Sequence, residues 1–439
     1  MSTSYVPYLP QQEFLLPPSL QEWLPRGHLA YFISDTVDAL DLSAFHRRYA
    51  NGGPRNQPFH PAMMVKVLIY GYASGVFSSR KLARKLHEDV AFRVLAAGNF
   101  PAHRTLSDFR AMHLEEFSAL FVQVVKLARE CGLVKLGTIA VDGTKVKANA
   151  SRHKAMSYKR MLQAEAELKG QIEALIERAK AADAAESNEP ELDIPAEIER
   201  REARLATIEA AKARLQARQR EADAAQGRSQ DDDRRPRNPD GTPKRGGLYK
   251  REFGVPPDDA QQGFTDPDSR IMKHASGAFE QSYNAQTAVD AERQIIVAAE
   301  LTQRANDSDQ LPVMLAAVQA NLGALAQQTL ADAGYRSEAV LEQLAEVPCE
   351  LIVALGREGR ENARINEQKY PRTAAMAARF QTEPVKQAYR KRKHIVEPPN
   401  GWIKAVLGFR QFSLRSLKKA QGEWKLVCMA LNLRRMAYL

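Results

Sequence analysis

The sequence predicts a mixed α/β sheet flanked by helices, preceded by an all-helical segment and interrupted by a helical hairpin. Three observations lead there. Apolar residues recur at helical spacing from Pro61 to about Cys131. The period then switches to a strand-like one at Thr138. Beyond Phe264, short apolar runs alternate with helical stretches in the order two strands, helix, strand, helix, strand, helices, which is the grammar of an α/β layer.

Residues 1–60 read as an extended leader and a short helix, closed by the turn-rich stretch Asn51 to Pro58. Pro61 suits a helix start, and Met63, Met64, Val67, Leu68 and Tyr72 follow at 3.6 spacing. Ser78 or Ser79 is a cap for the helix SRKLARKLHED. Thr105, with Asp108 three residues on, resembles a capping box opening one long helix through Phe109, Leu114, Phe117, Phe121 and Val124. The expected unit is an all-α N-terminal domain over 1–131. Its short basic helices suit a helix-turn-helix-like reader of DNA, and an ordinary bundle fits the pattern equally well.

Residues 132–439 are expected to form the second domain, with 153–262 interrupting it. Thr138 to Ala148 reads as a strand. From about 157 to 225 the chain is rich in Ala, Glu, Lys and Arg. Met161, Leu168, Ile172, Leu175 and Ala179 mark a seven-residue repeat on one arm, and Ile198, Leu205, Ile208 and Leu215 mark one on the other. These arms predict a projecting helical hairpin with a connection at Pro190 to Pro195. Residues 226–262, crowded with Asp, Arg, Pro and Gly, read as a mobile linker. Strands are expected at Ser282 to Asp290, Gln294 to Leu301, Gln328 to Ala331 and Cys349 to Ala354, with a helix at Gln310 to Leu322.

The bulk composition narrows the function classes. Lys and Arg total 63 against 53 acids, a formal charge of +10, which favours a polyanionic partner such as nucleic acid. No apolar run approaches a membrane span, and the N-terminus lacks the pattern of a secretory signal. The three cysteines stand far apart with no zinc spacing, so a reducing cytoplasm is expected. There is no phosphate-binding GxxxxGK loop to suggest ATP use.

The residues that carry chemistry are acids. Asp142 interrupts an apolar strand in TIAVDGTKVKANAS, a costly position unless it is paired or binds a cation. Gly143 beside it leaves room for close approach. Asp332 follows the strand of TLADAGYRS, where α/β sheets place their sites. Glu397, in RKRKHIVEPPNGWIK, is expected near a helix start, because Pro398 and Pro399 are tolerated in a first turn. Converged carboxylates suit hard divalent ions, and an ion pair about 3.5–4 Å apart can hold both the attacking and leaving oxygens of a phosphoryl displacement. Asp266, Asp268, Asp290, Asp307 and Asp309 compete for the second position. Asp307 and Asp309 lie near a helix start, where aspartate is an ordinary cap.

At these residues the chain resembles the DDE-type transposases of bacterial insertion sequences. The resemblance runs through HPAMMVKVLIYGYASGVFSSRKLAR, VDGTKVKANAS, TDPDSRIMK, YNAQTAVD, LADAGYRSE and the glutamate segment to LNLRRM. It implies a ribonuclease H-like catalytic domain. It also implies Asp142, Asp332 and Glu397 as ligands of two Mg²⁺ or Mn²⁺ ions, double-stranded DNA as substrate, and a homodimer at synapsis. The family's glutamate signature is matched by Tyr389, Glu397 and Lys404. The basic position expected four residues before the glutamate is Lys393, with Arg392 one step off. Tyr389, Arg392, Lys393 and Lys404 are therefore candidate DNA contacts. Lys145 and Lys147 alternate on the Asp142 strand and face either substrate or plain solvent. Two other readings remain at this stage: a DNA-binding regulator or a cellular nuclease of the same fold, and a coiled-coil interaction protein built on the 157–225 arms.

Overall fold

The computed structural model describes residues 19–49, 57–184, 193–231, 233–236, 242, 247–356 and 365–439. The leader up to residue 18, most of the turn-rich stretch at 51–58, and the hairpin connection up to residue 192 lie outside the described residues. Pro195 is described and occupies the first turn of a helix.

Helices α1 (Leu29–Ala39), α2 (Ser43–Arg47), α3 (Pro61–Ala73), α4 (Ser79–Glu88), α5 (Val90–Leu95), α6 (His103–Met112) and α7 (Leu114–Glu130) precede the first strand. Pro61 opens α3, and Met63, Met64, Val67, Leu68 and Tyr72 are all buried. The long helix expected from Thr105 is instead two. Helix α6 starts at His103 with Ala102 before it, and the chain breaks at His113, whose φ of −105° and ψ of 30° are not helical. The break seats the His113 ring, fully buried, against Phe109 at 4.4 Å and Phe45 at 5.1 Å.

The sheet is built from β1 (Thr138–Lys147), β4 (Arg270–Lys273), β5 (Phe279–Asp290), β6 (Ile296–Thr302), β7 (Gln328–Ala331) and β8 (Glu350–Val353). Two short strands, β2 (Ala155–Ser157) and β3 (Gln261–Gly263), pair apart from it. Strand β1 lies between an antiparallel β5 and a parallel β7, with β8 parallel beyond β7. The far edge of β5 carries β4 at one end and β6 at the other. A mixed sheet in this order, flanked by helices, is compatible with the ribonuclease H-like expectation. Its register also places the site. Ala331, the last residue of β7, pairs with Val141, so Asp142 and Asp332 are the first residues beyond the paired stretch on neighbouring parallel strands.

Helices α10 (Leu311–Leu322), α11 (Glu338–Gln343), α12 (Pro371–Arg379), α13 (Glu383–Arg390), α14 (Arg392–Gly401) and α15 (Leu417–Met436) complete the layer. Helix α14 runs into a π-helical stretch, Trp402–Val406, and packs on β1. Helix α15 is buried along most of its length and touches β6, α7 and α3. It carries the fully buried Glu423, which accepts hydrogen bonds from Tyr72 Oη (2.8 Å) and from the backbone N–H groups of Ser413 (2.9 Å) and Leu414 (3.1 Å). Arg110 lies 3.9 Å from the same carboxylate and donates to Tyr72 Oη and to Phe77 O, each at 2.8 Å.

Helices α8 (Tyr158–Ala184) and α9 (Ile194–Ala225) pack on one another around an apolar cluster separate from the main core. Tyr158, Met161, Leu168, Ile208, Ala211 and Leu215 form it, with Val255, Ala260 and Phe264 packed against them. The mobile linker expected over 226–262 is, at several described residues, folded back on α9. Arg228 is buried 3.4 Å from Asp223, its guanidinium lies over the Tyr249 ring at 4.3 Å, and Gly254 N–H donates to Asp223 at 2.8 Å. Low apolar content hid these contacts, because they are made by charge and backbone. No described helix is long and apolar enough to cross a membrane.

The Glu423 network ties the helices before β1 to the sheet layer. Glu423→Ala leaves Arg110 buried without its carboxylate and is expected to cost about 3–5 kcal/mol in urea unfolding. Tyr72→Phe removes one neutral link and should cost about 1–2 kcal/mol. Equal, small losses for both variants would show that the buried charge does not organise this contact.

Candidate active site

Strand β1 delivers Asp142 to the middle of the sheet. Its Oδ1 lies 3.7 Å from Arg392 Nη1, and its Oδ2 accepts from Asn400 Nδ2 at 3.4 Å. Both partners come from α14, two turns apart, with the buried Val396 between them. Thr144, two residues along β1, accepts a hydrogen bond from Lys404 Nζ, which also donates to Lys145 O at 2.9 Å. Asp142 and Thr144 therefore share the strand face that α14 and its π-helical extension cover.

The opposite face holds another acid. Asp307 Oδ1 accepts from Asn284 Nδ2 and Gln286 Nε2, each at 2.6 Å, and lies 3.9 Å from Lys145 Nζ. Gly143 makes this possible. A Cβ there would lie 2.4 Å from Gln286 Nε2 and 2.5 Å from Asp307 Oδ1, so only glycine leaves the carboxylate its place. Asp332 caps the single turn Ala333–Tyr335, its Oδ1 accepting from Gly334 N–H at 2.8 Å. Carboxylate oxygens of Asp332 and Asp307 lie 2.9 and 3.4 Å from the point where a Gly334 Cβ would stand, which brings these two acids to one spot.

The electrostatics follow from this crowding. Burial first, then the charges of Asp332 and Asp307, raise the Asp142 carboxyl from 3.8 to about 6, against the opposing pull of Arg392. Burial lowers the ammonium groups of Lys145 and Lys404, while the neighbouring acids partly restore them.

The sequence candidates are placed unevenly. Asp142 and Asp332 come close enough to influence each other. Glu397 sits on α14 one residue after Val396, and its side chain is exposed. Among the described residues, no three His, Cys, Asp or Glu side chains gather at metal-holding distance. Nor does Glu397 lie near a helix start. Helix α14 begins at Arg392 and carries Pro398 and Pro399 inside it. Pro398 offers no N–H to His394 O, and the side chain of Gln294 donates to that carbonyl instead, at 2.5 Å. Of the candidate DNA contacts, Lys404 is half-buried against β1, and Arg392 is buried with Nε and Nη1 lacking hydrogen-bond partners among the described residues. Lys393 is exposed, and Tyr389 packs edge-on to Phe380 with Arg392 5.9 Å over its ring.

Sequence reasoning missed the role of Asp307, which it read as a helix cap. Gln310 holds the position before α10, and the Asp307 carboxylate turns to β5. The available signal was YNAQTAVD, in which Asn284 and Gln286 alternate as amides on an otherwise apolar strand. The other competing acids hold the fold together. Asp266 accepts from Tyr283 Oη and Ser416 N–H, Asp268 from Leu417 N–H, Asp290 from Leu136 and Glu292 N–H, and Asp309 pairs with Arg304.

Two family models match the chain. A transposase DDE domain covers residues 242–433, and a second transposase domain (DUF772) covers residues 18–112. No curated protein and no solved structure matches it. The two matches take in the α14 segment, Asp332 and Asp307 at one end and the helices α1 to α6 at the other, and the chain belongs to the DDE-type transposases of insertion sequences.

Proposed function

We propose that this transposase cleaves DNA at the ends of its element and joins the freed ends to target DNA, using Asp142, Asp332 and Glu397 as its catalytic acids. The observation that carries the reading is the crowding of carboxylates about Asp142, whose proton affinity is raised to about 6. The site's all-oxygen donors suit Mg²⁺ or Mn²⁺, two per site, in keeping with the family's general use of divalent ions. Bound ions would supply electrostatic stabilisation of the phosphorane-like charge. The chain's own residues do the positioning. Arg392 and Asn400 fix the Asp142 carboxyl, and Lys404 presents a cation beside it for a phosphate oxygen. In the first reaction, water oxygen bonds to phosphorus as the 3′ oxygen leaves and takes up a proton; in the second, that 3′ hydroxyl gives up its proton as its oxygen bonds to a target phosphorus, and the target's own 3′ oxygen leaves with a proton.

Asp307 supplies a second reading for the third acid, because it shares the Gly334 position with Asp332 while Glu397 faces solvent. Nicking of end-containing DNA with Mg²⁺ separates the two. We expect Asp332→Asn and Glu397→Gln each to lower the rate by at least about a hundredfold, a loss comparable to removing one stabilising group. A wild-type rate for Glu397→Gln with a crippled Asp307→Asn would transfer the role to Asp307. A wild-type rate for Asp332→Asn would remove the carboxylate mechanism.

The raised carboxyl of Asp142 makes stability depend on pH. The folded chain binds this proton more tightly than the unfolded chain. Stability from this group is therefore greatest below pH 3.8 and falls as pH rises to about 6. A shift of this size is worth about 3 kcal/mol at ~1.4 kcal/mol per unit. Without divalent ions, Asp142→Asn should be more stable than wild type at pH 7 and should lose the decline between pH 4 and 6. Urea melts across that range check both; parallel profiles would remove the electrostatic account.

Residues 1–131 are proposed as the helical DNA-binding domain and 132–439 as the ribonuclease H-like catalytic domain, interrupted by 153–262. Supporting the interruption, Tyr158 N–H donates to Ala260 O at 2.9 Å, so the excursion ends where it began. Replacing 159–259 with a short Gly/Ser linker should leave a cooperative thermal transition for the remainder. Loss of that transition would show that the arms are needed for folding. A homodimer that pairs two element ends completes the reading.

A further inference from the structure

At the base of the α8–α9 arms, a cleft of about 580 Å³ opens between α9 and the β4 edge of the sheet, away from the acids. Arg214 and Arg218, one helical turn apart on α9, line it with Arg270 of β4. Arg218 is the unusual member. Its Nη1 is buried and has no hydrogen-bond partner among the described residues. Burial lowers its proton affinity, and no carboxylate offsets that effect. Arg270 donates from Nη1 to Pro267 O (2.7 Å) and Ser269 O (2.8 Å), and from Nη2 to Gln303 Oε1 (3.2 Å), which aligns its guanidinium. Burial first, and then the Arg218 charge, bring Arg270 down to about 10, with Asp268 and Asp266 pulling the other way.

Two acids also line the cleft, and neither pairs with Arg218. Asp268 accepts from Leu417 N–H at 2.9 Å at the start of α15, and Glu221 forms no ion pair with Arg218. Leaving two guanidinium groups in repulsion and one buried donor unsatisfied is costly unless an anion with several acceptor oxygens enters. A tetrahedral phosphodiester has that chemistry, and arginine is the side chain suited to it. Arg152 and Arg160 line a second cleft, beside Ile271 of β4.

The register separates this phosphate from the reacting one. Arg270 pairs with Ser282, and Ser282 pairs with Lys147, five residues along β1 from Asp142. At ~3.4 Å per strand residue that is about 17 Å. Five is an odd number of strand residues, so Arg270 points to the sheet face opposite Asp142, two strands away, and a phosphate in the cleft is not the one at Asp142. We propose that the cleft between α9 and β4 grips a non-reacting backbone phosphate of the DNA through Arg218 with Arg214 and Arg270. This contact makes the arms part of the DNA-binding surface. It rests on the reading of the chain as an enzyme acting on DNA.

The test uses the full chain and a duplex of roughly 30 base pairs, with affinity measured by fluorescence anisotropy between about 50 and 200 mM salt. Inorganic phosphate is titrated separately by calorimetry. Arg218→Met is expected to weaken duplex binding about tenfold and to reduce the salt slope by about 0.9, the signature of one lost phosphate. Its thermal midpoint should hold or rise, since an unsatisfied buried charge has gone, and Arg218→Lys should recover part of the affinity. An unchanged slope for Arg218→Met, beside a wild type that binds DNA, overturns the proposal and leaves the catalytic reading intact. A fallen midpoint with an unchanged slope assigns Arg218 to folding and also overturns it. Phosphate binding lost in Arg218→Met without any change in duplex binding would make this a small-anion site instead. Failure of the wild type to bind duplex at all would remove both readings together.

Discussion

The buried carboxylate of Glu423 is the constraint on which the rest of the architecture depends. Burying a carboxylate is costly unless polar partners surround it, and here those partners come from three separate parts of the chain. Tyr72 and Arg110 belong to helices that precede the sheet, while Ser413 and Leu414 belong to the segment that returns from the π-helical stretch. That returning segment also bonds to β1, through Lys147 N–H to Arg410 O and Phe412 N–H to Lys147 O. A single side chain on α15 therefore holds the N-terminal helices, fixes the loop behind α14, and thereby seats α14 against the strand that bears Asp142.

The site itself is a consequence of sheet order. Because β7 runs parallel to β1 and stops opposite Val141, two acids far apart in sequence emerge side by side without any dedicated loop to bring them there. Asp307 arrives by a different route, held by amides of β5 across a glycine that yields its space. Two cations, Arg392 and Lys145, temper the accumulated negative charge but do not cancel it. Burial first, and then the neighbouring acids, raise the proton affinity of Asp142.

Much of this was legible in the residues. Asp142 stood out because a charge within an apolar strand demands a reason, and Asp332 because it follows a strand end. The strands and the α10 helix fall close to where alternation and apolar runs place them. What the pattern could not carry were contacts across the chain. The break at His113 depends on a pocket formed by Phe45, which lies nearly seventy residues earlier. The prolines of α14 look like a helix start by local rules. The structure places them in the interior because Gln294, from the turn between β5 and β6, serves one of the carbonyls they strand. Asp307 and Arg228 were misread for the same reason: their partners are polar, and polar partners leave no periodic trace in a sequence.

The pairing of β2 with β3, closed by Tyr158 and Ala260, has an evolutionary corollary. An excursion that departs and re-enters through adjacent residues transmits none of its length to the strands it leaves. Whole heptads can be gained or shed along α8 and α9 while the spacing of the carboxylates stays fixed. The length of the arms and the geometry of the acids are thus separately tunable in one polypeptide.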